Sequence, residues 1–165
     1  MVVVSIVSVT RLAAQTQVEW TRCTSPEIYR LAAQWEDTLE AALAADPGLE
    51  DTYGFRQCAK LDDASPEAGL GFYHDVLELG SVEPVGDAAT ARSVTAHLHA
   101  VLPIRSRGPE TWSAFEGTLD AVLDIDPNMK AALYNTHSED HRGRLVLLSR
   151  PKTNEHVALF IYLSH

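Results

Sequence analysis

Two stretches of this 165-residue chain nearly repeat each other. Residues 38–49 read TLEAALAADPGL and residues 118–129 read TLDAVLDIDPNM, with six of the twelve positions identical. Glu40/Asp120, Ala42/Val122 and Leu49/Met129 are conservative differences. A shared Ala/Leu run would mean little alone, since helices favour those residues. The shared DPG/DPN adds a physical reason. Pro suits the first central position of a turn, and Gly or Asn suits a second position needing positive φ. Both stretches therefore read as a helix leaving by the same kind of turn.

The helices also begin alike. Ser25-Pro26-Glu27 and Gly108-Pro109-Glu110 each supply an N-cap, a proline at the first helical position and an acid that suits the helix dipole. In the first helix Ile28, Leu31, Ala32, Trp35, Leu39, Ala42 and Leu43 form one apolar stripe, and in the second Trp112, Phe115, Leu119, Val122 and Leu123 do.

Around each helix lie strand candidates. Val2–Leu12 and Val94–Ile104 precede the helices as apolar runs. Thr52–Leu61 and Leu70–Leu79 follow the first, parted by the turn-rich DDASPEAG, and Ala131–Thr136 and Arg144–Arg150 follow the second, parted by HSEDHRG. Val157–Leu163 is a further strand or a short helix, which periodicity does not decide. Each half thus reads β-α-β-β, over residues 1–80 and 92–165, with 81–91 as linker. A half of that size buries too little surface alone, so the two are expected to share one core as a single α+β domain with pseudo-two-fold symmetry.

Bulk properties narrow the partners. The chain is 45% hydrophobic and 22% charged, which suits a packed core. Its net charge is −10 with scattered basic residues, so the positive stripe that nucleic acid or an anionic membrane surface needs is missing. The N-terminal MVVVSIVSVT lacks a basic leader and reads as a strand, and no apolar run approaches a membrane span. Cys23 and Cys58 form no CxxC and read as two reduced buried thiols. The expectation is a soluble, cytoplasmic protein, monomeric or homodimeric. P-loop, GxGxxG, GxSxG and HExxH motifs are missing, which leaves nucleotide-binding, serine-hydrolase and zincin readings without support.

A β-α-β-β unit whose helix ends in a Pro-Gly turn before an aromatic strand resembles the dimeric α/β-barrel families. Leu39–Leu43, Asp46-Pro47-Gly48-Leu49 and Tyr53-Gly54-Phe55 carry the likeness. Those families include antibiotic-biosynthesis monooxygenases and stress-responsive barrel cyclases, and the chain looks like a fused two-copy form. The resemblance implies tandem ferredoxin-like units closing a pseudo-two-fold α/β barrel. It also implies an enzyme of secondary metabolism, without cofactor or metal, that oxygenates or cyclises an aromatic or polyketide-like substrate in a hydrophobic cavity. A second duplicated β-α-β-β architecture, similar to gyrase-inhibitor and transcription-effector domains, implies a non-catalytic module that binds or sequesters a small ligand.

The candidate site residues follow from residue type and place. On a strand over 94–104, His97 and His99 share one side. They can move protons, ligate a metal that still needs further partners, or simply fill a wall between packed sheets. His74 and Tyr73, in GFYHDVLEL, sit where barrel cyclases keep working groups, but on a strand they face opposite sides. The loop YNTHSEDHRG offers His137, Glu139, Asp140 and His141, although such a hairpin turn is normally solvated. Trp35, Tyr53, Trp112 and Tyr134 are candidates for stacking on a planar substrate, with core packing as the plainer use. Arg56 and Arg105 are candidate anchors for an anionic or phenolate group.

Overall fold

The structure is a computed structural model that describes residues 26–44, 52–102 and 108–163. In chain order the elements are α1 (Pro26–Ala44), β1 (Tyr53–Lys60), α2 (Pro66–Leu77), β2 (Ser81–Pro84), α3 (Ala91–Val101), α4 (Gly108–Leu123), β3 (Lys130–His137), β4 (Arg142–Arg150) and β5 (Glu155–Leu163). The strands form one antiparallel five-stranded sheet in the order β1-β5-β4-β3-β2. The fold is α+β. Neither a closed barrel nor a repeated β-α-β-β unit is seen among the described residues.

Both helices expected from the N-cap-Pro-acid pattern form, as α1 and α4. The strands expected at 52–61, 131–136 and 144–150 form as β1, β3 and β4. Val157–Leu163 resolves as strand β5, whose residues 155–161 are buried without a break. It sits between β1 and β4, so both of its faces meet other layers and the run need not alternate. The candidate strand Val2–Leu12 lies outside the described residues.

Two expected strands are helices, and both errors have local causes. Leu70–Leu79 lies mostly in α2. Ser65 caps this helix, its Oγ accepting from the Ala68 N–H at 3.2 Å, and Pro66 and Glu67 follow. That Ser-Pro-Glu start matches the one that marks α1, inside a stretch that reads as a turn. Val94–Ile104 falls largely in α3, which begins with a capping box between Thr90 and Ser93. Ala91, Val94, Thr95, Leu98 and Leu102 are buried, a spacing of three and four rather than two. Leu102 precedes Pro103, which disfavours helical ψ, and its backbone is extended. The turn after α4 also differs in detail. Asp126 Oδ1 accepts from the Asn128 N–H at 2.9 Å and the Met129 N–H reaches Asp126 O, while Asn128 stays out of the positive-φ region.

Two cores follow from strand alternation. On one face Trp35 and Leu39 of α1, Val94 and Leu98 of α3, and Phe115, Leu119 and Val122 of α4 cover Leu133, Val146, Leu148, Leu159 and Ile161. On the other, α2 places Tyr73, with Leu79 just beyond its end, over Tyr134, Leu145, Leu147, Ala158 and Phe160. Cys58 is buried and disulfide-bonded, which corrects the reduced-thiol expectation for this residue. Its sequence spacing carries no disulfide-framework signal, so the bond was not legible there. The chain's other cysteine, Cys23, lies outside the described residues. Among those residues no helix is long and apolar enough to cross a membrane.

Candidate functional site

The recoding of 94–104 from strand to helix separates the histidine pair. Two positions apart on a helix means about 200° of rotation, so His97 and His99 leave α3 in different directions. Both are exposed. His99 lies against Trp112 of α4, with ring centroids 4.8 Å apart and planes at 30°. Trp112 meets Phe115 at 5.1 Å, and Phe115 meets Trp35 of α1 at 5.8 Å. Four rings from three helices thus run from the surface into the core.

The outer end of this column opens on a groove of about 480 Å³ between α3 and α4. Arg92, Thr95, His99, Trp112 and Glu116 line it. Three buried donors near the column stand out: the indole N–H groups of Trp35 and Trp112 and the Thr95 hydroxyl have no hydrogen-bond partner among the described residues. A buried donor left unmade costs about 1–3 kcal/mol, so three around one ring column is a concentration that calls for a reason. Two of the three, on Thr95 and Trp112, belong to residues that line the groove.

The remaining candidates do not join this group. Tyr73 is fully buried under α2, across the sheet from α3, and its hydroxyl donates to the backbone carbonyls of His156 at 3.0 Å and Gln57 at 3.2 Å. Burial pushes its phenol well above the usual tyrosine range. His74 Nε2 donates to Gly80 O at 2.7 Å and ties off the end of α2. Tyr134 packs in the α2-side core, and burial, followed by the Glu67 charge, raises its phenol. Tyr53 and Arg56 lie on β1, but their side chains are outside the described part of the chain, as is Arg105. His141 accepts or donates at Ser138 Oγ, 2.8 Å away, and its ring packs on Tyr162 at 5.0 Å. Among the described residues no three His, Cys, Asp or Glu side chains gather as a metal-binding group.

A polar cluster that the sequence reading passed over lies beneath α2. His156 is 0% exposed. Its Nε2 donates to the Asp63 carbonyl at 2.9 Å, so in the neutral ring Nδ1 accepts from the Ser149 hydroxyl, also at 2.9 Å. A serine–imidazole pair has the makings of a nucleophile and its base, but Ser149 is 1% exposed and no substrate reaches it. The imidazole instead pins the β1–α2 loop to β4 and β5. Gly69 makes room for it: a Cβ there would stand 2.5 Å from His156 Nδ1. The chain matches no family model, no curated protein and no solved structure.

Proposed function

We propose that this chain is a small-ligand-binding module whose groove between α3 and α4 seats a planar aromatic molecule. The carrying observation is the set of unpartnered buried donors on Thr95 and Trp112 beside an exposed, already stacked imidazole. A ligand ring can stack over His99 or take its place on Trp112, and a ligand acceptor can satisfy an indole or hydroxyl donor. Arg92 and Glu116 flank the groove and give it one charge of each sign for orienting a polar substituent.

Oxygenation or cyclisation has less support. Of its expected proton movers, Tyr73 is fully buried, His74 is tied to Gly80 O, and His97 and His99 leave α3 in different directions. The binding-only reading predicts that the ligand is recovered chemically unchanged. The matched stretches that each run off a helix toward a strand fit an ancient duplication. The disulfide at Cys58 favours an oxidising compartment over the cytoplasm, where thiols are kept reduced.

The test is a screen of aromatic small molecules by amide NMR and tryptophan fluorescence. Binders should shift amides of α3 and α4 and lose affinity about tenfold in His99→Ala or Trp112→Phe, the loss of one good stacking or hydrogen-bond contact. A screen in which every binder shifts other residues would end this reading.

A further inference from the structure

The three arginines of β4 have very different surroundings. Arg150, at one end, has Asp126 Oδ2 at 3.2 Å and Glu155 Oε2 at 3.7 Å. Arg142 and Arg144, at the other end, form no ion pair with a carboxylate among the described residues. In a chain with 23 acidic and 13 basic residues, two such arginines on one strand with no carboxylate at ion-pair distance among the described residues stand out. Standing two apart on one strand, they project from the same face and repel each other. Arg144 is also half-buried, and burial, with Arg142 beside it, holds its guanidinium below the usual arginine range. Among the described residues its guanidinium makes one hydrogen bond, from Nη1 to Gly143 O at 2.8 Å, with most of its five donors unspent there.

Register supplies the neighbours. Arg142 stands opposite His137, which stands opposite Ser81 on β2, and Arg144 stands opposite Asn135, which stands opposite Glu83. Paired residues share a face, so these six side chains form two polar rungs across three strands. They line a hollow of about 350 Å³. The same face is apolar one rung further along, at Leu133 and Val146. The polar end is therefore bounded, and concave.

We propose that this hollow binds a small oxyanion, a phosphate or a carboxylate, between the guanidinium groups of Arg142 and Arg144, with Asn135 and His137 as further hydrogen-bond partners. The guanidinium fork matches both groups, and one anion relieves two like charges at once. Glu83 sits two strands from Arg144, about 10 Å at usual strand spacing, and limits the negative charge that the hollow accepts. The site lies apart from the α3–α4 groove and does not depend on it.

The experiment titrates the isotopically labelled full chain with sodium phosphate, sodium acetate and, at matched ionic strength, sodium chloride, following backbone amides. Saturable shifts at 135–137 and 142–144 are expected with phosphate or acetate, and the stronger of the two identifies the headgroup. Arg144→Gln should weaken the affinity tenfold or more, the usual worth of a charged hydrogen-bond partner. Arg142→Gln changes an exposed side chain, so it keeps the test intact if the half-buried position proves structurally sensitive. Glu83→Gln should tighten phosphate binding. Shifts that match those in chloride, or affinity unchanged in Arg142→Gln, would overturn the proposal and leave an adventitious ion only.

Discussion

The two faces of the sheet are covered in opposite ways. Three helices cover one face with a broad apolar core in which Trp35, Phe115 and Trp112 stack in sequence. Among the described residues a single helix, α2, covers the other, and buried hydrogen bonds as well as apolar contacts hold it. His156, Ser149, the Asp63 carbonyl and the Tyr73 hydroxyl form that second set. The comparison teaches where tolerance lies. Apolar packing is non-directional and loses stability in proportion to what is removed, whereas a hydrogen-bonded pin depends on shape at one point.

The comparison breaks most visibly in the three-helix core. Phe115→Ala removes the ring between two tryptophans and should cost about 3–5 kcal/mol in chemical denaturation. A cost under about 1 kcal/mol would show that the column is not a core. On the α2 face, Gly69→Ala should destabilise by about 1–3 kcal/mol, because the new methyl meets an imidazole held at both nitrogens. The sharper measurement is the same substitution made in His156→Ala. With the ring gone, alanine's better helix propensity, worth up to about 1 kcal/mol, should make the change neutral or favourable. An unchanged penalty would mean that something other than the imidazole occupies that space.

The smallest effect concerns Tyr73. Tyr73→Phe should cost about 1 kcal/mol near neutral pH, the net worth of a hydrogen bond. Its pH dependence follows from the raised phenol. Below about pH 10, the ordinary tyrosine value, Tyr73 is protonated both folded and unfolded, and the full stability is present. Above it the unfolded chain releases a proton that the folded chain retains, so stability falls as pH rises. Tyr73→Phe should remove that part of the alkaline fall. Parallel stability–pH curves for the two proteins above pH 10 would contradict it.

Much of the architecture was legible because it is written in local signals. Pro after a cap, then an acid, marks α1 and α4, and it marks α2 as well at Ser65-Pro66-Glu67. That third instance is masked in the sequence by its neighbours, Asp62 to Ala64, which read as a turn. The error at α3 has a different source. Ala96, Leu98 and Ala100 alternate with polar residues, so a period of two fits locally, but the cap at Thr90 lies outside that window. Part of the candidate site is legible too, since Trp35, Trp112 and His99 stand out by residue type. What joins them is Phe115, which reads as one more core residue until three helices converge on it. His156 and the Arg142–Arg144 pair were not legible. Their character comes from strand register and from which carboxylates stand within ion-pair distance among the described residues, and neither is a property of the neighbouring sequence.

The strand order has a consequence for how the molecule is made. β3, β4 and β5 follow one another along the chain and pair as a meander, whereas β1 has β5 as its one partner among the described residues, Tyr53 meeting Tyr162. A ribosome delivers β1 long before its partner exists. Until β5 emerges, β1 lacks the partner it has among the described residues, and α1 and α2 lack the strands that they pack upon there. These three early elements therefore depend on the late half of the chain for their template.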